Sequence, residues 1–316
     1  MDWIYESNYR ERMEADVEPY VNMRMSSGYF ERNPCEPIYY EHYRADEPKA
    51  AIVISHGFTE SIKKYTEAVY YMLQQGYDVW GPDHRGHGRS FRENDNPCVV
   101  HVERFEDYVL DLKYFAEEVV FPETEGMPHY LYCHSMGGCI GAWIIEDYQN
   151  LFDKAVLSSP MLGLSFGPVP VPVVYAAASI IGIGERRKNP FGSDGTFNRE
   201  PDFEGSCDSS EVRYNYYFDK CLGDPYLQTS APSIQWGKEA AKACRYVFTE
   251  ADYVRIPVLM FQAGEDTVVK NQSQDLYASW VENCEFIKVP GVKHELFMTD
   301  TPVMIPYWEK IFDFLK

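Results

Sequence analysis

Met127-Pro-His-Tyr-Leu-Tyr-Cys-His-Ser-Met-Gly-Gly-Cys-Ile-Gly-Ala-Trp143 changes character at one serine. Tyr130 to Cys133 is a run of bulky residues suited to a buried strand, Gly137 and Gly138 break it, and Ile140 to Tyr148 carries apolar residues at helical spacing. Ser135 sits at the junction. A sharp strand-to-helix turn lifts such a serine clear of a sheet and aims the N-terminus of the helix at the group it attacks. The pattern Gly-x-Ser-x-Gly that marks this turn asks for glycine at 133, where Cys133 stands. A Ser-x-Gly after a strand is by itself more often an ordinary turn, so the reading depends on partners elsewhere.

Outward from that turn the chain alternates strand and helix. Ala50-Ala-Ile-Val-Ile-Ser-His-Gly57 is a near-continuous apolar run, typical of a strand buried on both faces of a parallel sheet. Thr59 is placed to cap a helix running to about Gln75 and ending at Gly76. Tyr77-Asp-Val-Trp80 reads as the next strand, followed by the glycine-rich loop Gly81-Pro-Asp-His-Arg-Gly-His-Gly-Arg-Ser90. A helix from about Val102 to Val120 leads into the serine stretch, and Phe152 to Ser158 is another buried strand. Upstream, Tyr29-Phe30-Glu31 and Ile38 to Tyr43 flank Asn33-Pro34 and predict a hairpin, while the charged and aromatic residues 1–27 are expected to wrap the outside of the core. The rhythm returns near the end with strands at Ile256–Gln262 and Glu285–Val289 and helices at Asn271–Asn283 and Thr301–Leu315, the last with Pro302 in its first turn. This is the pattern of an α/β fold with a mostly parallel, doubly wound sheet.

One stretch interrupts it. Met161 to Gly184 contains no charged side chain and carries Pro168, Pro170 and Pro172. A membrane span needs about 20 apolar residues, but three prolines and several glycines within a folded domain argue against one. A lid beside an apolar cleft is the better reading, with transient contact of a lipid surface through it; an internal core helix is the plainer alternative. Residues 185–233 read as loop-rich. The expected organisation is a core in two parts, 1–160 and 251–316, around a lid or cap insertion at 161–250.

Bulk properties exclude several classes. The 316 residues are 45% hydrophobic and 16% aromatic, ample for a packed core. With 29 Lys and Arg against 49 Asp and Glu, the net charge of −20 argues against nucleic acid and against electrostatic docking on anionic lipid. The eight cysteines, at 35, 98, 133, 139, 207, 221, 244 and 284, form no C-x-x-C and no zinc or disulfide framework. They read as reduced thiols, and with no basic-then-apolar leader at Met1-Asp-Trp-Ile-Tyr-Glu a cytoplasmic location is expected.

A serine nucleophile needs a base to take its proton and a carboxylate to orient that base. Asp266, in Gly264-Glu-Asp-Thr267, and His294, in Pro290-Gly-Val-Lys-His294, each follow a strand directly, where ligand sites of open α/β sheets collect. A lone Asp there is usually a turn residue and a lone His usually a satisfied one; all three in the order Ser, Asp, His point to a triad. Glu265 competes with Asp266 but lies one residue off and should face solvent. Cys133 should point into the fold and not serve as nucleophile. The oxyanion donors are expected at the backbone N–H groups of Met136 and Phe58, with His56 buttressing the second loop. His84 and His87 lack a carboxylate or further histidine ligand, so no metal is expected there, and no cofactor is needed.

Residues 48–160 and 256–297 resemble α/β-hydrolases of the monoacylglycerol lipase and bacterial lysophospholipase group, a serine aminopeptidase S33-like domain. The resemblance rests on His56-Gly57, on Asp83-His-Arg-Gly-His-Gly-Arg-Ser90 and on His134-Ser-Met-Gly-Gly138. Ser158-Ser-Pro-Met-Leu-Gly163, Ser209-Ser-Glu-Val-Arg-Tyr214, Pro232-Ser-Ile-Gln-Trp236, Gln262-Ala-Gly-Glu-Asp-Thr-Val-Val269 and Lys293-His-Glu-Leu296 look like bacterial lysophospholipases. It implies an α/β-hydrolase fold, a Ser135–Asp266–His294 triad, oxyanion donors at Phe58 and Met136, and a single-chain lipid ester as substrate. The same residues would also serve a short-chain carboxylesterase, a thioesterase or a peptidase of this fold, or an inert ligand-binding relative.

Overall fold

The computed structural model describes residues 1–165, 185–189 and 194–316. Ten strands form in chain order among the described residues: β1 Met25–Phe30, β2 Ile38–Tyr43, β3 Ala50–Ser55, β4 Tyr77–Pro82, β5 Val99–Val100, β6 His129–His134, β7 Lys154–Ser158, β8 Ala231–Pro232, β9 Val258–Ala263 and β10 Cys284–Val289. Eight of them make one sheet in the order β1-β2-β4-β3-β6-β7-β9-β10. The expected hairpin is β1 against β2, antiparallel, with Met25 opposite Tyr43 and Phe30 opposite Ile38. β2 runs antiparallel to β4, and from β4 to β10 every pairing is parallel. β3, β4 and β9 are buried at every residue, as their apolar runs require between two helical layers. The fold is that of an α/β-hydrolase.

Each face of the sheet has its own core. Helices α2 (Glu106–Phe115), α3 (Met136–Asp147), α5 (Ile234–Tyr246) and α6 (Asn271–Trp280) pack on one face through Tyr108, Leu112, Ile140, Ile144, Trp236 and Tyr277. Helices α1 (Thr66–Gln74) and α7 (Thr301–Leu315) cover the other through Val69, Met72, Trp308 and Ile311. The N-terminal residues do more than wrap the outside. Ile4, Tyr9, Met13, Val17 and Val21 are buried in this second core, because they recur at helical spacing among the charges.

Two further expectations need correction. Thr59 does not cap the helix after β3: it has φ +61°, and its hydroxyl donates to the Phe58 carbonyl 2.7 Å away. The helical turns begin at Ile62, whose N–H donates to Asp83 Oδ1 at 2.9 Å, and α1 ends at Gly76 with φ +75°. Residues 185–233 are less loop-rich than read, since α4 spans Glu211–Gly223. Its aromatic residues have modest helix propensity, so tertiary packing decides. The fully buried Arg213 anchors it, with Nε and Nη2 each 2.9–3.0 Å from the Glu67 carboxylate and Nη2 2.9 Å from the Ile4 carbonyl. Most of the uncharged stretch, residues 166–184, lies outside the described residues.

Glu146, on α3, is 3% exposed, and neither carboxylate oxygen has a partner among the described residues. Burial pushes its carboxyl up to about 9, with the nearby Tyr277 hydroxyl working against that rise and Asp147 and Glu250 adding to it. The folded state therefore keeps a proton that the unfolded chain releases near 4.5, and stability falls as pH climbs from that value towards 9. Glu146→Gln should raise the Tm at pH 8, by about 1–2 kcal/mol of stability, and change it little at pH 5; thermal denaturation at both pH values checks this.

Candidate active site

Ser135 caps the end of β6 with φ +52° and ψ −115°, a backbone that L-residues adopt only under constraint. The constraint is close packing behind the turn. A Cβ on Gly137 would lie 2.0 Å from the Ser55 carbonyl oxygen, and one on Gly138 would lie 2.6 Å from Pro160 Cα. Only glycines let α3 press this tightly on β3 and on the end of β7. Ser135 N–H donates to the Ser158 carbonyl at 3.1 Å, and the Ser135 carbonyl accepts from Met161 N–H at 2.8 Å. The elbow is built despite Cys133.

Cys133 points into the core, fully buried, and burial pushes its thiol well above the usual range. Room for it comes from α3: a Cβ at Gly141 would sit 2.3 Å from Cys133 Sγ. The glycine missing before the serine has a counterpart two turns into the helix, which a motif centred on the serine does not reach.

Asp266 and His294 meet as expected. Asp266 Oδ2 accepts from His294 Nδ1–H at 2.5 Å, while its Oδ1 accepts the N–H groups of Val268 and Val269 at 2.9 and 3.0 Å. The carboxylate is thus fixed from two sides, its side chain buried, and Glu265 is exposed. With Nδ1 so engaged, His294 Nε2 is buried and has no hydrogen-bond partner among the described residues. His294 and Ser135 both line a cavity of about 290 Å³.

The loop after β3 enters the same cavity through Gly57, Phe58 and Thr59. His56 buttresses it in one tautomer: Nδ1–H donates to the Gly57 carbonyl at 2.8 Å, and Nε2 accepts His84 N–H at 2.9 Å. Burial lowers its pKa, which keeps the ring neutral as that pairing needs. The 83–90 loop is organised by Asp83, which accepts from Ile62 N–H and Arg89 N–H, each at 2.9 Å. His84 and His87 spend their Nε2 and Nδ1 on Ser55 Oγ and the Arg85 carbonyl. The Phe58 ring packs on Trp236 of α5, centroids 4.1 Å apart.

Sequence reasoning missed a buried charged cluster beneath these groups. Lys64 Nζ bonds Glu60 Oε1 at 2.8 Å and Glu295 Oε1 at 3.1 Å, and Glu295 Oε2 lies 3.2 Å from His134 Nε2. His134 Nδ1 faces the Ser158 carbonyl at 3.2 Å, while Nε2 stands at ion-pair distance from Glu295 without hydrogen-bond geometry. Burial opposes a positive charge on the ring, and Glu295 and Glu60 override it, raising the His134 pKa. For Glu295 burial likewise works upward, and Lys64 and His134 hold the carboxyl well below its usual range. Glu60, His134 and Glu295 have the side chains of a metal site, but the Lys64 ammonium already bonds both carboxylates. The available signal was adjacency: His134 precedes Ser135, Glu295 follows His294, and Glu60 and Lys64 are one helical turn apart.

Residues 207–209 reach this cluster. Lys293 N–H donates to Ser209 Oγ at 2.9 Å and Glu295 N–H to the Cys207 carbonyl at 3.1 Å, so the loop bearing His294 is tied down on both sides of the histidine. Arg213 and Ser209 account for two residues of the Ser209–Tyr214 motif, and Ser233 caps α5 by accepting Trp236 N–H at 3.0 Å.

Known proteins resemble this chain in sequence and in fold. The family model described as serine aminopeptidase, S33 matches residues 46–301. Lysophospholipase L2 of Escherichia coli (strain K12) is 29% identical over 291 residues, covering 89% of this chain and 84% of that one. Among solved structures, a soluble variant of monoglyceride lipase from Saccharomyces cerevisiae in complex with a substrate analog superposes with a TM-score of 0.73 at 17% identity, over 92% of this chain and 94% of that one. A thermostable carboxyl esterase from Bacillus coagulans reaches 0.75 at 17% identity, over 93% and 98%.

Two substitutions test the packing behind the site. Gly141→Ala should cost about 1–3 kcal/mol by forcing a methyl onto Cys133 Sγ, and Cys133→Gly in the same chain should restore most of it, read by chemical denaturation. Ser209→Ala should lower kcat about threefold to tenfold with little change in KM, and Ser209→Thr should recover it.

Proposed function

The chain belongs to the serine aminopeptidase S33 family, and from that premise we propose that it is a serine ester hydrolase acting on a single-chain lipid ester, a lysophospholipid or a monoacylglycerol. The carrying observation is the Asp266–His294 pair beside a Ser135 held at positive φ on the same cavity. Ser135 attacks the ester carbonyl as His294 Nε2 takes its proton, and Asp266, already bonded to Nδ1, stabilises the imidazolium. The Phe58 and Met136 N–H groups receive the oxyanion, with the N-terminus of α3 adding its dipole. His294 then protonates the leaving alcohol and activates water to release the fatty acid from the acyl-enzyme. Each proton moves between groups of this chain, substrate and water.

The lipid substrate is supported by the names of the relatives and by the cavity wall, where Phe197, Phe218, Leu227 and Met298 offer apolar surface. Residues 161–250 act in this reading as the cap over a core of 1–160 and 251–316, and Tyr214, Phe218 and Leu227 bring the cap to the cavity. The uncharged stretch Met161–Gly184 would touch lipid surfaces, and a cytoplasmic setting suits eight free thiols. Among the described residues no helix is long and apolar enough to cross a membrane.

A fluorophosphonate probe should label the protein at Ser135 and leave Ser135→Ala unlabelled; labelling that persists in that variant would sink the assignment. His294→Ala and Asp266→Asn should each lower kcat by about 10³–10⁴-fold on a lipid ester.

A further inference from the structure

We propose that the polar end of the cavity recognises a cation, so that the alcohol part of the substrate carries an ammonium group received by Asp208. This rests on the lipid ester hydrolase reading above and narrows its substrate class. Asp208 comes from the cap, lines the cavity beside Ser135 and His294, and is 6% exposed. Its Oδ1 has no hydrogen-bond partner among the described residues. An unpaired buried carboxylate oxygen is costly unless something arrives to meet it.

Charge balance says what arrives. The groups gathered here are the carboxylates of Glu60, Glu295 and Asp208 against the Lys64 ammonium and the His134 ring. Lys64 bonds Glu60 and Glu295 and His134 stands 3.2 Å from Glu295, whereas Asp208 has no ion pair within 4.0 Å among the described residues. Burial pushes the Asp208 carboxyl up to about 7, against the pull of Lys64, so an arriving cation also drives off its proton. The adjoining wall suits the same guest. Tyr217 already takes the Lys64 ammonium 5.6 Å from its ring centre, and Tyr214 and Phe218 are stacked 5.8 Å apart on the cavity side. Aromatic faces beside a carboxylate are the usual surroundings of a bound quaternary ammonium. A head group ending in a neutral polyol leaves the deficit uncorrected.

Two sources share this chemistry, a zwitterionic phospholipid head and a simple choline ester. The test compares kcat/KM on palmitoyl-lysophosphatidylcholine, the lysophosphatidylglycerol of the same chain, monopalmitoylglycerol and palmitoylcholine. The choline-headed phospholipid should exceed its glycerol-headed counterpart by about tenfold or more, and Asp208→Asn should bring that ratio close to 1. Comparable turnover of palmitoylcholine would assign the recognition to the ammonium alone, and its absence to the whole zwitterion. A ratio near 1 in the unmodified protein, or one that survives Asp208→Asn, overturns the proposal. If none of the four lipids is cleaved while the fluorophosphonate still labels Ser135, the lipid reading itself fails. Cation recognition is then decided separately: tetramethylammonium should slow labelling of the unmodified protein and not of Asp208→Asn, and equal behaviour of the two overturns it.

Discussion

The ammonium of Lys64 sits where three loops converge. Through Glu60 it holds the loop after β3, whose Gly57 N–H also donates to Glu60 Oε2 at 2.6 Å. Through Glu295 it holds the residue next to His294, and Glu295 in turn meets His134, the residue next to Ser135. Ions taken out of water demand good geometry and full pairing, and a partly paired network is worse than none. The Ser135 turn, the His294 loop and the loop after β3 therefore share one set of buried charges. Displacing any of them strands a charge belonging to another, which fixes their mutual geometry more firmly than separate loop packing would.

The strands explain why this convergence is possible. β3, β6, β9 and β10 are parallel, so the loops that follow them emerge at the same edge of the sheet. β6, whose end leads into Ser135, lies between β3 and β7 in the interior of the sheet, where its neighbours supply the Gly57–Thr59 loop on one side and the Ser158 and Pro160 backbone on the other. Trp236 packs on Phe58, and residues 207–209 tie down the His294 loop.

Much of this was legible in the residues. Buried parallel strands announce themselves as apolar runs, and Asp266 and His294 each follow one, so the order Ser, Asp, His and its placement could be read before any coordinates. Less legible were the features that depend on contacts between distant segments. Ile4 to Val21 bury a helical stripe that heavy charge conceals, α4 forms from aromatic residues because Arg213 finds Glu67 from another part of the chain, and Thr59 loses the cap to Asp83, 24 residues on. The Glu60–Lys64–His134–Glu295 cluster had no motif, since its members are recognisable only as neighbours of residues already singled out.

Cys133 and Gly141 occupy a space that admits one of their two side chains. A Cβ at 141 would stand 2.3 Å from the Cys133 Sγ, so the thiol and a side chain at 141 constrain each other across the turn. A search for relatives that share this departure from the familiar serine motif should therefore require the residues at 133 and 141 together.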